Sequence, residues 1–157
     1  MNTATARNTL RYLDDLCPGD RFESAEHALD IEQIIEFAER FDPQPFHLDE
    51  AAAGASFFGG LAASGWHTAA LTMRLLVTSG LPIAGGLIGA GVEVSWLQPT
   101  RPDDVLRVCS EVLEVTPSRS RPERGIVTVR SETLNQRGEV LQRLVSRLVV
   151  PRRPQAA

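Results

Sequence analysis

Ser64-Gly65-Trp66-His67-Thr68-Ala69-Ala70-Leu71-Thr72-Met73-Arg74-Leu75-Leu76-Val77-Thr78 carries a single formal charge, on Arg74. Trp66, Ala69, Ala70, Met73, Leu76 and Val77 recur at the i, i+3, i+4, i+7 spacing of one helix face. Leu71 and Leu75 add apolar character to the other side. A helix that is apolar around most of its circumference is a buried one. The Trp66 stripe is therefore expected to face the core. Ser64 is suited to the N-cap, with Gly65 as the first helical residue. Ser79-Gly80 and then Pro82 mark the end.

Beyond Gly86 the pattern changes to strand. Four runs, about Leu87 to Gln98, Val105 to Val115, Gly125 to Asn135 and Glu139 to Val150, are separated by breaker-rich turns. Asn135-Gln136-Arg137-Gly138 reads as a tight hairpin, and Pro117 to Arg124 as a longer polar loop. The last three runs make an antiparallel meander with one covered face. Such a sheet needs a cover, and the Trp66–Thr78 helix is the obvious one. The fold class expected is α+β: one hot-dog domain, a long antiparallel sheet wrapped around a central buried helix. Its exposed edges predict dimerisation by sheet continuation.

Composition agrees with a single globular domain. The chain has 157 residues, 43% hydrophobic and 23% charged, with an ordered core expected over about 12–151 and frayed ends. A net charge of −4 argues against nucleic acid as a partner. No apolar run reaches the roughly 18 residues of a membrane span, and the polar start has no signal-peptide core. Cys17 and Cys109 fit no metal spacing and read as reduced thiols of a cytoplasmic protein. No metal and no cofactor are expected.

Upstream of the helix, Pro18-Gly19-Asp20 is a turn and Arg21 to Leu29 a strand, with His27 at an edge position. Asp30 is an N-cap with Gln33 completing a capping box. Ile31, Ile34, Ile35, Phe37, Ala38 and Phe41 then follow helical spacing, Phe41 packing on the core. The helix ends at Asp42, before Pro43. In Asp42-Pro43-Gln44-Pro45-Phe46-His47 the two prolines argue against a helical turn and for a stiff loop. That loop holds a carboxylate and an imidazole in a set relation, as an acid/base pair requires. Taken alone, it is equally a surface turn with an idle histidine. Asp49 caps a short helical turn that ends at Gly54. Phe57-Phe58-Gly59-Gly60 suits either the lining of an apolar pocket or a packed turn.

The loop Asp42-Pro43-Gln44-Pro45-Phe46-His47-Leu48-Asp49 resembles the Asp-x-Asn-Pro-x-His-x-Asp signature of MaoC-like hydratases. Gly60-Leu61-Ala62-Ala63-Ser64-Gly65 is similar to that family's second block, where a His-Gly pair opens the central helix. Trp96 to Asp104 is similar to the third, usually Pro-Val-x-Pro-Gly-Asp, and Asn135 to Val140 matches the last hairpin. Three departures stand out: Gln44 for Asn, Ser64 for His and Asp103 for Gly.

The resemblance implies reversible hydration of a trans-2-enoyl thioester to the (R)-3-hydroxyacyl thioester. The substrate would be carried on coenzyme A or acyl carrier protein, by a homodimer or a dimer of dimers. It makes Asp42 and His47 the catalytic pair and the Gly65 N–H the oxyanion donor. Phe57, Phe58, Gly60, Leu61, Ser64 and Met73 would contact substrate. His67 is expected on the helix surface or at an interface, with a pocket-wall contact as the alternative. Arg119, Arg121 and Arg124 read as solvated loop charges, with coenzyme A phosphates the other possibility. The rival functions are a hot-dog thioesterase, disfavoured because Trp66 to Thr78 holds no Asp or Glu, and a non-catalytic thioester-binding or heterodimer subunit.

Overall fold

A computed structural model of the chain describes residues 9–156. The strands β4 (Val105–Pro117), β5 (Arg124–Leu134) and β6 (Val140–Pro151) form the expected antiparallel meander. β3 (Gly89–Trp96) pairs antiparallel with the far side of β6. The chain must therefore cross from one side of the sheet to the other before β4 begins. The expected strand from Arg21 to Leu29 is two short pieces, β1 (Arg21–Glu23) and β2 (His27–Ala28), both paired to β4. Between them the Ser24 hydroxyl accepts the Val108 N–H at 2.8 Å. A side chain there does the work of the ladder, so the strand can break.

Alternation is clearest in β5, where Val127, Val129, Ser131 and Thr133 are buried and their neighbours half-buried. Against this face lies α4 (Gly65–Leu75), continued by a π-helical turn over Leu76–Gly80. The buried face of α4 is not the expected one. His67, Thr68, Leu71, Thr72 and Leu75 are buried, whereas Trp66 is 60%, Met73 47% and Val77 62% exposed. The reason is that the threonines have partners. Thr72 Oγ1 donates to Thr68 O (2.8 Å) and meets Thr133 Oγ1 (2.6 Å), and Gln142 Nε2 donates to it (3.0 Å). Thr68 Oγ1 meets Thr100 Oγ1 at 2.8 Å. A buried hydroxyl costs little once it is hydrogen-bonded, and periodicity of residue type does not register such partners. The Trp66–Met73 stripe instead lines an apolar groove of about 300 Å³ with Val92 and Val94 of β3 and Leu144 of β6.

Ahead of α4, α1 (Ile31–Phe41) is capped by Asp30, which accepts the Gln33 N–H at 2.8 Å. The Gln33 amide reaches Ala28 O (3.3 Å) and His27 Nε2 (2.7 Å), so the reciprocal half of the capping box goes elsewhere. Ile34 and Ala38 are fully buried. Phe41, expected on the core, is 70% exposed at the last turn of α1, its ring 5.1 Å from that of Phe37.

The C-terminal tail is tied at Arg152 and Arg153, which pair with Asp14 and Asp15. The Arg153 guanidinium also lies 4.7 Å over the Tyr12 ring. The fraying expected for Met1 to Arg11 falls mostly on residues outside those described. Arg11 itself donates its N–H to Pro82 O at 2.7 Å. Cys17 and Cys109 are free thiols.

His67 lies under α1, neither on the helix surface nor in the wall of the cavity that holds Asp42. Its ring stacks on Phe37 at 4.5 Å, nearly parallel, and Nδ1 has no partner. Burial, and then the charge of His27, hold its pKa at about 4. In the unfolded chain the same imidazole titrates at roughly 6.5. Between these values the unfolded chain binds the extra proton, so His67 lowers stability as pH falls from about 6.5 toward 4. In His67→Leu that part of the acid destabilisation is expected to vanish, while stability at neutral pH holds. Thermal melts of both proteins across this pH range check it.

Candidate active site

The site begins where α1 ends. Asp42 is the C-cap, its N–H bonded to Ala38 O at 3.0 Å, and Pro43 forbids another turn. Gln44, extended at φ −88° and ψ 141°, is the N-cap of α2 (Pro45–Leu48). The expectation that the prolines exclude a helical turn here was wrong. Pro45 occupies the first helical position, where its missing N–H would have no intrahelical partner anyway. The prolines restrict only the residues before them, Asp42 and Gln44, and leave Phe46 and His47 free to be helical. His47 is thereby carried back over Asp42. α3 (Glu50–Gly54) follows, capped by Asp49, which accepts the Ala52 N–H at 2.7 Å.

His47 is 4% exposed. Its Nδ1 lies 2.6 Å from Ala62 O, and since a carbonyl only accepts, Nδ1 carries the hydrogen. Nε2 is then the nitrogen that faces Asp42, 3.3 Å from its Oδ2. The carboxylate is held on both oxygens. The Ser64 hydroxyl donates to Oδ2 at 2.7 Å and the Gln44 amide to Oδ1 at 2.7 Å. Burial pushes the Asp42 carboxyl up. The Ser64 and Gln44 donors lead the effects that outweigh burial and hold it below the ordinary carboxylate range. Asp42 is thus ionised at neutral pH.

Ser64 has a second task. Its oxygen accepts the Trp66 N–H at 3.2 Å, so one fully buried hydroxyl caps α4 and fastens Asp42 to it. Gly65 opens the helix, and its N–H is among the donors a helix leaves without an intrahelical acceptor. A Cβ on Gly65 would fall 2.5 Å from Trp96 Cε2. The Trp96 indole N–H is shared between Gly65 O and Gln142 Oε1, each at 2.9 Å.

Asp42, His47 and Gly65 border one cavity of about 520 Å³. Phe57 and Phe58 line it, Phe57 almost fully exposed. Ser64 lies behind Asp42. Of the other substrate contacts expected, Leu61 is 5% exposed in the core and Gly60 offers only a carbonyl, to Arg101. Met73 points into the separate groove of about 300 Å³. Arg119, Arg121 and Arg124 do not line the cavity. The sequence reading missed Thr68, Trp96 and Thr100 as walls. Thr68 stood one turn beyond Gly65, a signal hidden by assigning that face to the wrong side. Among the described residues no three His, Cys, Asp or Glu side chains gather to hold a metal ion.

A family model described as MaoC like domain matches residues 16–135. The chain belongs to the MaoC-like family. This MaoC-like chain is similar to the MaoC-like dehydratase from Rhodospirillum rubrum, at 65% identity and a TM-score of 0.91, covering 92% of this chain and 99% of that one. It is 37% identical over 128 residues to the uncharacterized protein YdeM of Bacillus subtilis (strain 168), covering 80% of this chain and 88% of that protein. The unliganded R-hydratase PhaJ1 from Pseudomonas aeruginosa is 26% identical with a TM-score of 0.73, covering 93% and 91%.

Because the Gly65 Cα hydrogen lies against an indole, Gly65→Ala is expected to displace Trp96. The measurement is intrinsic tryptophan fluorescence with a thermal melt: a shifted emission maximum and a lower Tm are expected, at a cost of about 1–3 kcal/mol for overpacking. An unchanged spectrum and Tm would show that the indole contact is not tight.

Proposed function

We propose that this protein is a hydro-lyase that reversibly adds water to a trans-2-enoyl thioester, giving the (R)-3-hydroxyacyl thioester. The observation that carries the reading is the Asp42 Oδ2–His47 Nε2 pair, 3.3 Å apart and bordering the cavity at the N-terminus of α4. A water bridging the two atoms from the cavity can donate one hydrogen to the ionised carboxylate and the other to the imidazole nitrogen. Asp42 takes a proton from the water as its oxygen bonds to C3. The pair then returns a proton to C2 on the same face, so the sum is one water added. Negative charge gathered on the thioester oxygen in between is met by the Gly65 N–H, aided by the helix dipole. The similarity to an R-hydratase supports the (R) product. The acyl carrier is coenzyme A or acyl carrier protein, which places the reaction in fatty acid metabolism. The free thiols Cys17 and Cys109 suit a cytoplasmic setting. α4 brings no carboxylate to the cavity, which disfavours a thioesterase.

Asp42→Asn and His47→Ala are each expected to lower hydration of crotonyl-CoA by about 10²–10⁴-fold, followed at the enoyl-thioester absorbance, with the fold retained by circular dichroism. Undiminished turnover in either variant overturns the assignment.

The working form is a homodimer in this reading. β3 is an edge strand exposed along nearly all its length, and the Trp66–Met73 groove opens beside it. A second copy, related by a twofold axis, can pair β3 with β3 and cover both grooves at once. Sedimentation velocity is expected to give twice the monomer mass. Val92→Lys, at a 60% exposed β3 position in that groove, is expected to shift the protein toward monomer.

A further inference from the structure

Three main-chain carbonyls beside the site converge on one side chain. Arg101 Nη2 donates to Phe58 O at 2.5 Å, and Nη1 to Gly60 O at 2.9 Å and Leu61 O at 3.3 Å. Residues 58–61 belong to no helix or strand, so no ladder satisfies these acceptors. The planar fan of guanidinium donors takes its place. Arg101 forms no ion pair among the described residues, and it does not line the cavity of Asp42 and His47. Its own N–H is fixed to Asp104 Oδ2 at 2.8 Å, and Asp104 is 2% exposed.

The segment Arg101 holds leads directly into Ala62, which is fully buried. Ala62 donates its N–H to Phe46 O at 3.3 Å and accepts the Nδ1–H of His47 at 2.6 Å. Ala63 N–H bonds to Thr100 O at 2.9 Å. The turn between β3 and β4 therefore grips residues 58–63 from outside, through the Arg101 side chain and the Thr100 carbonyl. The inner side of the same segment carries the carbonyl that accepts the Nδ1–H of His47, while Nε2 faces Asp42 Oδ2 at 3.3 Å.

We propose that Arg101 is a positioning residue for His47. By pinning the carbonyls of Phe58, Gly60 and Leu61 it fixes the Ala62 carbonyl, and that carbonyl keeps the proton on Nδ1 and leaves Nε2 to face Asp42. An imidazole released from this acceptor is free to carry its proton on Nε2 instead, which removes the bare nitrogen from the Asp42 side. The catalytic consequence rests on the reading of His47 given above; the tautomer does not.

The test is the ¹⁵N spectrum of the imidazoles in the full chain at neutral pH, with crotonyl-CoA kinetics beside it. The chain has three histidines, so His47→Asn assigns the His47 nitrogens by loss of one set. Wild type is expected to show a protonated Nδ1 and a bare Nε2 at His47. In Arg101→Gln, and more weakly in Arg101→Lys, whose point-like ammonium cannot span three carbonyls, the His47 signals are expected to move toward a mixture of tautomers. Alongside, kcat falls about 10- to 100-fold, as for a group displaced by an ångström or less, while KM changes little. If Arg101→Gln does not fold, Arg101→Lys decides. Unchanged His47 nitrogens in a folded variant overturn the proposal, whatever happens to Tm. So does a raised KM with unaltered nitrogens, which would make Arg101 a binding group for the thioester carrier. Wild type that hydrates no enoyl thioester would defeat the functional reading, and the nitrogen spectra would still decide the role of Arg101.

Discussion

The Ser64 hydroxyl, donating to Asp42 Oδ2 at 2.7 Å and accepting the Trp66 N–H at 3.2 Å, joins the parts on which the site depends. It binds the end of α1 to the start of α4, which also meet where the His67 ring stacks on Phe37. It also resolves a problem of charge. A carboxylate at a helix C-terminus is in an unfavourable field, and partial burial makes this worse. Hydrogen bonds from Ser64 and Gln44 oppose burial, and the Asp42 carboxyl is held below its ordinary range. The position that differs from the usual histidine of the family is therefore no gap. It carries a hydroxyl that stabilises the ionised form of the acid beside it.

The second organising feature is the inversion of α4. Its apolar stripe faces outward and its threonines face the sheet. Each buried hydroxyl is matched across the interface by Thr100, Thr133 or Gln142. The polar seam ends at Trp96, whose indole bridges Gln142 and Gly65. Hydrogen bonds with fixed partners thus set the register of the helix on the sheet, a specificity that apolar contacts alone supply less sharply. The outward stripe in turn leaves an apolar groove that a single copy does not fill.

The turn between β3 and β4 is the third support. Asp103 adopts φ +67°, the left-handed conformation that suits the glycine usual there. Asp104 is buried and fixes the Arg101 main chain. A short breaker-rich stretch, which reads as a connection, is thereby the outer brace of residues 58–63.

Much was legible from residue order alone. The strand meander, the caps at Asp30, Asp49 and Ser64, the glycine opening of the central helix and the Asp42–His47 spacing all follow from local rules of dihedral preference and periodicity, which act within a few residues. The two prolines were also legible, but their effect was misjudged, because a proline constrains the residue before it and can start a helix at its own position. What only the tertiary structure decided are the relations between distant residues. Which face of α4 is buried depends on hydroxyl partners 32 to 70 positions away, such as Thr100 for Thr68 and Gln142 for Thr72. The lowered pKa of Asp42 draws on Ser64, 22 positions on, and the Nδ1–H of His47 on Ala62, 15 on. Local sequence fixes what each segment can be; the desolvated polar groups, which must find partners wherever the fold brings them, decide how the segments meet.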